Sequence, residues 1–302
     1  MKVAALAGGF GGARFARALA EADVELTVIG NVGDDAEILG LHVSPDLDSI
    51  LYALAGLGDE ERGWGRKDET WNALETVGRL GGETWFQLGD RDLGLHLLRT
   101  RALRAGEPLS AVTKRLAAVL GVETALLPAT DDMLRTRVET PAGDFPFQDW
   151  YVGRGHEDEV TGVRYEGAAE PAPGVLEALE SADLIAIAPS NPFLSIGPIL
   201  AVDGVRAALE RRRAPAVAVS PLIGGRTVKG PADRMLARFQ GGTEPKQVAD
   251  CYKGLIDALV LDEADEPGEL DVRPIVTPTL MSDATGRRRV AEAVLEAALV
   301  RR

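Results

Sequence analysis

A short apolar run, Lys2-Val3-Ala4-Ala5-Leu6-Ala7, ends in Gly8-Gly9-Phe10-Gly11-Gly12, and this junction limits what the chain can fold into. The run reads as a strand apolar on both faces, as strands of a covered parallel sheet are. The glycines suit a tight strand-to-helix turn whose backbone comes close to a neighbour or ligand. An amphipathic helix is expected over about Ala13–Ala22, followed by a strand at Glu25–Ile29 that ends in Gly30-Asn31-Val32-Gly33-Asp34-Asp35. Strand, turn, helix and strand make a βαβ unit. The expected fold class is therefore α/β, a Rossmann-like open, mainly parallel sheet.

Further strands are expected at Asp183–Ala188, Ala216–Ser220 and Ala258–Asp262, with a last helix over about Arg287–Val300. Between these regions the pattern changes. Helical periodicity dominates from about Pro45 to Leu120, and from Thr136 to Glu166 it becomes alternating and aromatic. That alternation predicts a hairpin: Arg137–Thr140, a turn at Pro141–Asp144, then Phe145–Tyr151. The chain is thus read as one domain over residues 1–302, with a mostly helical insertion carrying a small β element at about residues 57–175.

With 45% hydrophobic and 26% charged residues, the 302-residue chain has the composition of a globular protein with a real core. Its 33 Lys plus Arg against 47 Asp plus Glu leave a net charge of −14, which argues against broad nucleic-acid binding. Cys251 is the single cysteine, so an intrachain disulfide and a multi-cysteine zinc site are excluded. His42, His96 and His156 lie too far apart for a helical metal pair. No apolar stretch reaches bilayer length and no signal-peptide pattern follows Met1-Lys2, so a soluble cytoplasmic protein is expected.

Several segments offer chemistry. Backbone N–H groups of a glycine turn at a helix start bind phosphate without side chains, although a plain turn accounts for some of these glycines. The turn fits no standard fingerprint. A G-x-G-x-x-G pattern from Gly9 would need glycine where Arg14 stands, and Asn31 occupies the place of the acidic residue that holds ribose. No P-loop pattern occurs. In Ser44-Pro45-Asp46-Leu47-Asp48, the two aspartates either cap a helix or hold Mg²⁺ and activate a hydroxyl. Asp34-Asp35 is a second acidic pair at a strand's carboxyl end. Asp90, in Gln87-Leu88-Gly89-Asp90-Arg91-Asp92, reads as a helix cap. Ser190 and Asn191, held between Pro189 and Pro192, suit hydrogen bonding to a base or phosphate. Lys229 offers a cation, and Trp64, Trp71 and Trp85 serve either as core or as platforms for a flat heterocycle.

Taken in order, Leu6–Gly12, Ser44–Asp48, Leu88–Asp92, Pro189–Pro192, Ser195–Ile199, Val219–Gly224 and Lys229–Pro231 resemble the 2-phospho-L-lactate transferase family of coenzyme F420 biosynthesis. Bacterial members of that family are also called phosphoenolpyruvate transferases, and the resemblance covers nearly the whole chain. It implies transfer of a phosphoenolpyruvyl or 2-phospho-L-lactyl group from a guanosine diphosphate donor to the ribityl hydroxyl of the deazaflavin Fo. GMP leaves, and dehydro-F420-0 or F420-0 forms. Mg²⁺ is the implied metal, with Asp46 and Asp48 as its ligands and as the catalytic carboxylates. Asp48 and Gln87 are implied contacts to Fo, although the family often has Lys at the latter position. Gly8, Gly9, Gly11, Gly12, Asn191 and Lys229 match segments around the guanosine diphosphate. Asn31, Arg91 and Ser190 complete the expected substrate-binding set. A homodimer is the expected assembly, without a nucleic-acid or membrane partner.

Two other readings stand beside this one. A non-catalytic nucleotide-sugar-binding regulator of the same superfamily shares the glycine turn. A nicotinamide dehydrogenase is disfavoured by Arg14 and Asn31.

Overall fold

A computed structural model of the chain describes residues 1–299. Its strands are β1 (Lys2–Ala7), β2 (Glu25–Gly30), a hairpin of β3 (Ala36–Ile38) and β4 (Leu41–Val43), and β5 (Ala125–Pro128). Next come β6 (Arg135–Thr140), β7 (Gly143–Pro146) and β8 (Gly162–Glu166), then β9 (Leu184–Ile187) and β10 (Ala216–Val219). The series ends with the short pair β11 (Leu222–Ile223) and β12 (Arg226–Thr227), then β13 (Ala258–Leu261) and β14 (Arg273–Val276).

Seven of these build one sheet in the order β14-β13-β10-β9-β1-β2-β5. Every neighbouring pair in it is parallel. The chain therefore has the expected α/β class. Alternation along β1 shows why both faces need cover: Val3, Ala5 and Ala7 join one core with Phe15, Leu19, Val112 and Val290, while Ala4 and Leu6 join another with Val175, Ile199, Leu209 and Val248. The sequence order runs outward from β1 to β2 on one side and jumps to β9 on the other. The gap between the carboxyl ends of β1 and β9 is thus a topological switch point, where open α/β sheets bind ligands.

Several expectations need correction. β5 lies within the span read as an insertion, yet its Leu126 and Leu127 pair with Val28 and Ile29 at the sheet edge. Four residues carry too little periodicity to mark a strand, so residues 57–175 are not one continuous excursion. Helix α1 (Gly9–Ala20) starts inside the glycine turn rather than at Ala13, with Gly9 at φ +65°, a conformation that favours glycine. β6 and β7 form the hairpin with Pro141-Ala142 between them, and β8 adds to the other side of β6. The expected outer strand, however, stops at Pro146, and Asp149–Gly153 coils into a π-helical turn that fully buries Trp150. The last helix covers Ala284–Leu299; the expected end at Val300 lies outside the described residues.

Helices α2 (Pro45–Leu54), α3 (Asn72–Arg79), α4 (Asp90–Arg104) and α5 (Leu109–Val119) follow the predicted helical stretch. Asp90 does not cap its own helix. Its carboxylate accepts the amides of Asn72 and Ala73 and the Thr70 hydroxyl at the start of α3. Those donors, the Thr70 hydroxyl first, hold its pKa well below the usual carboxylate range. Glu69 returns the favour, accepting the amides of Arg91 and Asp92 at the start of α4 at 2.9 and 3.0 Å. Each helix is started by an acid from the other's approach segment.

The β1 turn and the loop after β9 are in close contact. A Cβ on Gly11 would stand 2.5 Å from the Pro189 carbonyl oxygen, a backbone atom that cannot swing aside. Gly11→Ala is therefore expected to lower unfolding free energy by about 1–3 kcal/mol, read by urea denaturation.

Candidate active site

The carboxyl edge of the sheet opens into a cavity of about 610 Å³. The glycine turn, the start of α2, the loops after β9 and β12 and the segments around Trp64, Gln87, Tyr151 and Leu280 line it. Gly8 is the joint between them. A Cβ there would lie 2.5 Å from Asp46 Oδ2, 2.9 Å from the Ser195 Cβ and 3.0 Å from the Asn31 Cβ. The turn and the acidic corner are thus one surface.

Asp34 and Asp46 both line the cavity and both are buried. Asp34 Oδ2 accepts the Asp46 amide at 3.1 Å, and Asn31 Nδ2 donates to Asp46 Oδ2 at 2.9 Å and to Asp34 Oδ1 at 3.4 Å. Burial, then the charges of Asp46 and Asp35, push the Asp34 carboxyl well up. Burial likewise lifts Asp46, to about 6, against the Asn31 hydrogen bond that opposes it. Asp35 is tied to His42 Nε2 at 2.8 Å and to the Ser44 hydroxyl at 2.9 Å, with its other oxygen buried and unpartnered. Two desolvated carboxylates side by side suit a hard cation, which would balance their charge. Among the described residues, no group of three or more His, Cys, Asp or Glu side chains is gathered at metal-binding distance.

Asp48 behaves differently. Both its oxygens are held by the Arg99 guanidinium of α4, Oδ2 at 2.9 Å from Nη1 and Oδ1 in a still closer contact with Nη2. Burial pulls the Arg99 guanidinium down, but the Asp48 charge and hydrogen bonds raise it overall. Asp48, expected as a metal ligand with Asp46, thus has a fixed cationic partner of its own. Beside it His96 Nδ1 sits 3.7 Å from Asp48 Oδ2 with no hydrogen bond, and burial lowers the imidazole to about 4, so it is neutral at pH 7. The Tyr52 hydroxyl donates to Asp92 at 2.6 Å, and both line the same end of the cavity.

The other expected site residues divide into two groups. Gly8, Gly9, Gly11, Gln87, Ser190, Asn191 and Lys229 line the cavity with Asp46 and Asp48. Gly12, Asn31 and Arg91 do not. Gly12 packs against Ala7 and the Ser190 hydroxyl oxygen, and Asn31 acts through the carboxylates it holds. Arg91 points to Asp68 at 3.9 Å on the exposed side of α4. The side-chain oxygen of Asn191 accepts the Phe193 and Leu194 amides, and the Ser190 hydroxyl donates to the Gly8 carbonyl at 2.7 Å, so both shape the loop. Trp64 lines the cavity and Trp85 packs edge-on against Phe86. Sequence reasoning missed Arg99, His96, Tyr52 and Asp92. The available signal was the i, i+4, i+7 spacing of Asp92, His96 and Arg99 along α4; Tyr52, on α2, had none.

A family model described as "2-phospho-L-lactate transferase CofD" matches residues 3–275. The chain belongs to this family. Relatives named phosphoenolpyruvate transferase are 43% identical in Streptomyces griseus, covering 99% of this chain and 98% of the relative. The figure is 41% in Nocardia farcinica, covering 99% and 96%. A solved UPF0052-family protein from Bacillus halodurans has the same fold, with TM-score 0.64 at 21% identity, covering 97% of this chain and 99% of that one. As a CofD-family member the chain is an enzyme, a transferase. No helix among the described residues is long and apolar enough to cross a membrane.

Removing one partner of a buried ion pair leaves an uncompensated charge. Arg99→Met is expected to destabilise the fold by about 3–5 kcal/mol, and adding Asp48→Leu should recover much of that, read by denaturant unfolding. A second expectation concerns Asp92, whose carboxyl burial lifts from 3.8 to about 6. The unfolded chain ionises first as pH rises, so the proton held by the fold contributes stability below about pH 4 that is lost as pH passes 6. Thermal melts should show wild type losing stability relative to Asp92→Asn across that window.

Proposed function

We propose that this enzyme transfers a phosphoenolpyruvyl group from a guanosine diphosphate donor to the terminal ribityl hydroxyl of the deazaflavin Fo in F420 biosynthesis, releasing GMP. A 2-phospho-L-lactyl donor is the alternative substrate. The observation that carries this reading is the single cavity in which the glycine turn, an acidic pair and a half-apolar end adjoin. The names of the relatives favour the enolpyruvyl donor.

Phosphoryl transfer needs positioning and charge balance more than a protein nucleophile. The amides at the start of α1 beyond Gly9, whose own amide hydrogen-bonds Asp46, present donors to the donor diphosphate. Asp34 and Asp46 are the residues that would hold Mg²⁺, the proposed metal. The ion would supply charge neutralisation between the attacking alcohol and the anionic phosphate. Asp48, held in place by Arg99, offers a fixed acceptor that orients the attacking hydroxyl. Gln87, Phe86 and Trp64 line the end that receives the flat heterocycle. The expected assembly remains a homodimer acting on these small molecules.

Incubating the protein with Mg²⁺, Fo and each donor should give GMP and a phosphodiester of Fo by mass spectrometry. Silence with both donors rejects the reading. Asp46→Asn should lower turnover at least about 100-fold, with the fold retained by circular dichroism.

A further inference from the structure

Arg14, the residue that breaks the dinucleotide fingerprint, has no place in the reading above. It stands in α1 two residues after Gly12, half-buried, and lines the cavity. Its guanidinium carbon lies 4.2 Å from the centre of the Phe10 ring. Among the described residues it makes no side-chain hydrogen bond and no ion pair. Glu60, the acid nearest to it in charge terms, is taken by Arg17 at 2.6 Å and faces Arg287 at 3.9 Å. A second cation shares the spot: Lys229 Nζ is 5.2 Å from the same ring and donates one hydrogen bond, to the Gly63 carbonyl at 3.1 Å. A chain with net charge −14 thus directs two cations into its cavity and gives neither an acidic partner there.

We propose that Arg14 is a substrate-binding residue that, with Lys229, receives the phosphate oxygens of the nucleotide donor at the glycine end of the cavity. The inference rests on the cavity being the donor's site. Several features support it. A planar guanidinium with open donors matches phosphate in a bidentate fork, and stacking on Phe10 fixes its plane before any ligand arrives. Burial lowers both cations below their ordinary ranges, and Arg14 further depresses Lys229; an anion between them relieves that repulsion. The position also explains the missing third glycine. Where a dinucleotide fold needs a bare backbone for helix–strand packing, this chain places a charge on the opposite, cavity-facing side of α1.

Titration calorimetry with inorganic pyrophosphate, GDP and guanosine on wild type, Arg14→Gln and Arg14→Lys tests the proposal. Arg14→Gln should weaken pyrophosphate and GDP tenfold or more, flatten their salt dependence, and leave guanosine unchanged. Arg14→Lys should fall between wild type and Arg14→Gln. Unchanged pyrophosphate affinity in Arg14→Gln overturns the proposal. So does an equal loss for guanosine, or a wild type that does not bind pyrophosphate. Should Arg14→Gln fail to fold, a weakened pyrophosphate affinity with the wild-type salt slope for Arg14→Lys supports the proposal, and an unchanged affinity overturns it. Arg14-dependent pyrophosphate binding with no added affinity for GDP would sink the guanine-nucleotide reading while leaving Arg14 in its role.

Discussion

The contact at Gly8 is the constraint from which the rest of the site follows. A hydrogen in place of a side chain lets the end of β1 touch Asp46 and the Asn31 and Ser195 side chains at once. Three elements distant in sequence, the first strand, the start of α2 and the segment after β9, are thereby locked into one corner. The same closeness removes water from the carboxylates, which is why Asp34 and Asp46 favour their protons. Geometry and acidity here have a common cause.

Charge in the cavity is sorted by position. Arg14 and Lys229 stand together at Phe10, Asp34 and Asp46 are held by Asn31, and Asp48, His96 and Asp92 line the same cavity with Arg99 behind Asp48. The Asp48 charge is balanced within the protein by Arg99. Neutral His96 adds no further cation beside it. This arrangement suits a ligand with an anionic head and a neutral planar body, because each half meets a surface of matching polarity.

What could be read from the sequence was whatever has a short range. β1, β2, β9, β10 and β13 are short, mostly apolar runs flanked by glycine, proline or polar residues, and their parallel pairing follows from the helices between them. The glycine turn and the Asp34 and Asp46 segments were visible as loop chemistry at strand ends. What escaped depends on long-range packing. Asp48 and Arg99 are 51 residues apart, so nothing near Asp48 announces its counter-charge. β5 is four residues long, and the π-helical turn that buries Trp150 has the same aromatic alternation a strand would have. The Asp90 misreading has a similar origin: a carboxylate at a helix start looks like that helix's cap even when it serves its neighbour.

That exchange between Glu69 and Asp90 has a practical side. Because each acid secures the opening turn of the other's helix, the two ends of the intervening stretch are stapled together independently of its tip. The tip, Leu80 to Gly82, is exposed, with Leu80 the most open of the large apolar residues. An epitope or fluorophore-bearing peptide grafted there would hang from a closed loop whose base stays shut, giving a site for labelling the enzyme that leaves its working cavity undisturbed.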